Sequence, residues 1–98
     1  MMLIPKKLTI GRKRYSVYNS PSLHKDVYGR CFPAAGVISV ASTHKKLPRT
    51  AKDQAETFWH EVTHCILHNM GNKLWRDEHF VTEFSKRLNQ AVHTAKLE

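Results

Sequence analysis

The spacing of apolar and polar positions changes character near the middle of this chain. Before residue 50 the apolar positions fall in short stretches bounded by turn residues. Lys6 to Ile10 and Arg12 to Tyr18 flank Gly11 and carry the β-branched and aromatic residues that suit a half-buried pleated surface, which predicts a hairpin or two adjacent strands. Asn19-Ser20-Pro21-Ser22 breaks the second stretch. Tyr28 to Phe32 predicts a third short strand ended by Pro33 and Gly36, and Val37 to Ala41 is the clearest strand signal. A polar connection containing Pro48 follows.

After residue 50 the period becomes helical. Ala51, Ala55, Phe58, Trp59, Val62 and Ile66, placed at 100° per residue, cluster within about a third of the helix circumference. Thr50-Ala51-Lys52-Asp53 resembles a capping box with Asp in place of Glu, and Gly71 supplies a stop. A second helix is predicted from about Arg76, with Phe80, Val81, Phe84, Leu88, Ala91 and Val92 as its core-facing stripe. Asp77 and Glu78 at its start suit the positive end of the helix dipole. A connection of roughly five or six residues makes the two helices neighbours. The pattern predicts an α+β fold, with a small, mainly antiparallel N-terminal sheet followed by two packed helices.

At 98 residues, 41% hydrophobic and 24% charged, residues 1–98 read as a single globular domain, and no repeat or low-complexity segment divides them. No apolar run approaches the length of a membrane span, and the opening residues lack the apolar region of a secretory leader, so the expected compartment is the cytoplasm. Cys31 and Cys65 form no paired-cysteine zinc motif, and Cys65 reads as a small buried residue rather than a nucleophile. The charge is lopsided. Residues 1–50 hold ten Lys or Arg against the single acid Asp26, whereas residues 51–98 hold six basic and seven acidic residues. The basic half reads first as a solvated face. It also admits nucleic acid or an acidic protein as partner, with Tyr15, Tyr18 and Tyr28 available to stack on bases.

The candidate chemistry lies in the first helix, at His60-Glu61-Val62-Thr63-His64. Residues i and i+4 share one helical face, so both imidazoles can reach a single zinc ion at about 2.0–2.1 Å. Both point nearly opposite to the apolar stripe, where core histidines would not be. Glu61 is poorly placed as a ligand but well placed to accept a proton from a water molecule at the metal. His68 continues the ladder and reads as a polar surface residue, with outer-shell or oxyanion tasks as alternatives.

His60-Glu61-x-x-His64 followed by an acidic helix resembles the zincin metallopeptidases, and specifically the gluzincin group. The layout of residues 36–92 is similar to that of small gluzincin-like metallopeptidases encoded by phages and prokaryotes, while the match in motif is confined to His60, Glu61, His64 and the region of Glu78. No Gly and third His follow His64 at metzincin spacing. The resemblance implies a minimal zincin-like domain, a zinc cofactor, a peptide or protein substrate, and a third ligand on the second helix. Glu78 is the first choice, one turn before Val81. Glu83, Asp77 and His79 are the alternatives, and His79 would give a three-histidine site like that of enzymes resembling the SprT group. The resemblance implies peptide hydrolysis, for which Glu61 would be the general base, and an extended substrate could pair with the edge of the Val37 to Ala41 strand through backbone hydrogen bonds. Tyr28, His68 and His79 are candidates to stabilise the oxyanion. The other reading is a zinc-stabilised, catalytically inactive module that binds through its basic half.

Overall fold

The computed structural model describes residues 4–21 and 27–96. Asp26, and Ser22 of the expected strand break, lie outside the described residues. Strands β1 (Lys7–Ile10), β2 (Lys13–Ser20), β3 (Gly29–Phe32) and β4 (Val37–Ala41) form one sheet in the order β1-β2-β4-β3. The pairs β1–β2 and β3–β4 are antiparallel, and β2–β4 is parallel. The sheet precedes two packed helices, α1 (Ala51–Asn69) and α2 (Glu78–Thr94), so the expected α+β architecture is the observed one. Two-residue strands β5 (Thr43–His44) and β6 (Leu47–Pro48) form a small hairpin within what the sequence reads as a polar connection. Its turn holds Lys45 and Lys46 at positive φ without a glycine to announce it.

The first hairpin turns at Gly11, whose φ of +62° is open to glycine at little steric cost. Alternation along the strands then places Ile10, Tyr15, Ile38 and Val40 on one face, where they are buried against Phe58, Val62 and Cys65 of α1. Phe58 is fully enclosed, and burial of such a side chain contributes about 1.5–3 kcal/mol. Thr50 caps α1 by accepting a hydrogen bond from the Asp53 amide at 3.0 Å. Arg49 fastens the helix start to the sheet: it donates to the Ala41 carbonyl at 2.8 Å and the Thr57 hydroxyl at 2.7 Å. No described helix is long and apolar enough to cross a membrane.

Three expectations change. The Val37–Ala41 strand has no free edge, because β2 and β3 flank it; β3 is the edge strand nearest α1. Cys65 is fully buried as expected, but it is disulfide-bonded to Cys31, joining β3 to α1 across 34 residues of sequence. The apolar stripe of α2 coincides only in part with its core-facing side: Val81 is buried and Phe80 and Leu88 half-buried. Val81, Ser85 and Asn89 are buried, while Phe84 and Val92 are exposed and Phe80 stacks on Phe84. Positions 81, 85 and 89 share one face of the helix, which is the face turned inward against the packed helix α1. The described residues supply no further layer to cover the other apolar positions.

Candidate metal centre

The helix α1 carries His60 and His64 one turn apart, on the side turned toward the start of α2. A single turn of 3-10 helix, Lys73–Arg76, reverses the chain between them, and Asp77 caps α2 by accepting from the Phe80 amide at 3.0 Å. Glu78 therefore emerges in the first turn of α2, directly opposite the histidines. Its Oε2 lies 3.1 Å from Nε2 of His60, and its Oε1 lies 2.9 Å from Nε2 of His64. The two Nε2 atoms are 3.2 Å apart. Ligands of a tetrahedral zinc at about 2.0–2.1 Å stand about 3.3 Å from one another. The three groups can thus hold a metal ion with little movement.

The protonation pattern favours the same task. Nδ1 of His64 donates to the backbone carbonyl of Trp75 at 2.6 Å, which turns Nε2 toward Glu78 and His60 as the atom free to bind a metal. Burial holds His60 below the usual imidazole range, opposed by the attraction of Glu78 and assisted by repulsion from His64. A neutral imidazole is the form that binds a metal. Two imidazole nitrogens and one carboxylate oxygen are donors that zinc accepts, and three protein donors leave a fourth position for water or substrate.

Glu61 is buried beside this cluster. Burial pushes its carboxyl up from 4.5 to about 7; His64 and Arg30 oppose the rise and Glu78 adds to it. Space for it depends on Gly29 in β3: a Cβ there would lie 2.5 Å from Cγ2 of Thr57 and 3.0 Å from Cγ of Glu61. The strand can approach the helix this closely only because the position is glycine. His60, Glu61, His64 and Glu78 all line a cleft of about 720 Å³, together with Trp75 and the outer strand β3.

A carboxyl raised in the folded state stabilises the fold while protonated and loses that contribution as pH rises from 4.5 through about 7. In chelated protein, the unfolding free energy of wild type is therefore expected to fall relative to that of Glu61→Gln across this window. His60 titrates in both proteins and largely cancels in the difference. Urea titrations at several pH values check this, and a difference independent of pH would contradict it.

The alternative ligands lie elsewhere. Asp77 is occupied as a helix cap, Glu83 pairs with Arg87 at 3.3 Å, and His79 is exposed and outside the cluster. His68 packs edge-on against Trp75 with ring centroids 5.0 Å apart. Of the three oxyanion candidates only Tyr28 lines the cleft; its ring rests against His44 and the Arg49 guanidinium. Sequence reasoning passed over Trp75 and Gly29. A backbone carbonyl leaves no residue-type signal, but a glycine inside a predicted strand is a sign of close backbone approach. A scan against models of protein families gives no match for this chain, and neither do searches of curated proteins and of solved structures.

Proposed function

We propose that the protein is a small zinc-dependent peptidase of gluzincin type, in which His60, His64 and Glu78 hold the metal and Glu61 is the general base. The observation that carries the reading is the convergence of two imidazole nitrogens and a carboxylate within 3.2 Å, next to the buried carboxyl of Glu61. When bound there, zinc lowers the pKa of water toward neutrality and polarises a carbonyl as a Lewis acid. Glu61 accepts the proton of the attacking water and delivers it to the departing amine. The Trp75 carbonyl fixes the tautomer of His64, and Gly29 keeps β3 close to Glu61. An extended peptide pairs with the outer edge of β3, in place of the β4 edge that the sheet order closes; backbone hydrogen bonds give such pairing little sequence preference.

The test is cleavage of a peptide library by zinc-loaded protein, read by mass spectrometry. Cleavage that stops on chelation and returns with zinc is expected. Zinc binding without cleavage of any peptide would favour the inactive binding module instead.

Residence in the cytoplasm is part of the proposal, and the Cys31–Cys65 bridge bears on it, because structural disulfides persist in oxidising surroundings. A closed segment of this length contributes about 4 kcal/mol in the chain-entropy picture, so reduction is expected to lower the thermal midpoint distinctly. Zinc stoichiometry with and without reductant checks this: equal values are expected for a protein that also works as the dithiol, and loss of zinc on reduction would contradict residence in the cytoplasm.

A further inference from the structure

Among the described residues, the helices pack against one face of the four-stranded sheet and no element covers the other. Register places Lys7, Ser16, Val37 and Phe32 in one row across the other face, and Tyr18, Ser39 and Arg30 in the next. Arg14 stands beside Thr9 in a further row of the same face. Lys7, Arg14 and Arg30 are exposed, as are the rings of Tyr18 (55%) and Phe32 (43%). None of the four strands contains an Asp or Glu. Between the two ring-bearing strands, β4 contributes Val37 and Ser39, both half-buried, to this face.

We propose that this open sheet face binds single-stranded nucleic acid. Tyr18 and Phe32 stack on bases while Lys7, Arg14 and Arg30 meet the phosphates. Charge complementarity selects a polyanion, and two uncovered rings among the cations select one with accessible bases. Tyr18 and Phe32 lie two strands apart and one row out of step, a separation of about 12 Å between backbone positions, which suits two unstacked bases rather than the closed stack of a duplex. Of the tyrosines in the basic half, Tyr15 is buried in the core and takes no part. None of the five proposed residues is a ligand of the metal cluster, so binding by chelated protein is read separately from peptide hydrolysis, although Arg30 and Phe32, on the edge strand β3, also border the cleft of the metal centre.

The experiment is fluorescence anisotropy of a labelled twelve-nucleotide oligothymidine with the full chain, over a range of salt. Binding is expected to weaken with salt with a logarithmic slope of about −2, as three phosphate contacts imply. Tyr18→Ser and Phe32→Ser are each expected to lose about tenfold or more in affinity, and Tyr18→Trp to retain it. Unchanged circular dichroism certifies the serine variants, and the tryptophan variant keeps the test decisive should they misfold. Absence of binding at low salt overturns the proposal. Binding indifferent to both rings, or equally tight binding of a duplex or of polyglutamate, overturns it as well.

Discussion

His64→Ala protein is expected to bind zinc more than about 100-fold more weakly than the wild type. Partners that merely orient a ligand are worth about 10–100-fold in affinity, and this change removes the ligand itself. It also leaves the Trp75 carbonyl without the imidazole that it accepts from, and takes away the histidine nearest Glu78. His60→Ala is expected to behave alike, since its Nε2 is the other nitrogen of the triangle. Glu78→Ala isolates the third corner. Its side chain is mostly exposed, so the variant should fold as well as the wild type while losing the metal. Competition with a zinc-selective chelator measures all three. Wild-type affinity in Glu78→Ala would remove Glu78 from the site and leave the two histidines to be completed by another group.

Glu61→Gln is expected to retain zinc and to lose roughly 10²–10⁴-fold in peptide cleavage, the range that a positioned general base contributes. Glutamine has nearly the shape of glutamate, so it fits the space between Thr57 and Gly29, and it cannot accept the water's proton. The amide remains neutral at every pH, so the buried site is not destabilised by the exchange. Single-turnover cleavage by zinc-loaded variant and wild type, matched for metal content, checks the prediction. Undiminished cleavage would show that another group moves the proton, and loss of zinc would show that Glu61 helps to hold the metal.

The elements that position the site were largely legible in the chain. The strands β1 to β4 follow local alternation, and α1 follows a long period with a Thr50 cap, so each is specified by near neighbours in sequence. His60 and His64 are legible for the same reason: four residues apart on a helix means one face. Glu78 could be placed at the start of α2 because helix capping and the acidic opening at Asp77 and Glu78 are local signals too. What the sequence hides is non-local. Nothing near Cys31 points to Cys65, nothing in residue type distinguishes the Trp75 carbonyl from any other, and the parallel pairing that puts β4 inside the sheet depends on the crossover through β3. On α2 the apolar period misleads. The side of α2 that is buried carries Val81, Ser85 and Asn89, and Phe84 and Val92 are left outside.

The central claim is that these three residues bind zinc and keep one position open. Diffraction at the zinc absorption edge from crystals of the zinc-loaded protein tests it most directly. One anomalous peak is predicted, about 2.0–2.2 Å from Nε2 of His60, Nε2 of His64 and a carboxylate oxygen of Glu78, with the fourth position held by no protein atom. A peak elsewhere, no peak at all, or a fourth protein ligand closing the site would contradict the account.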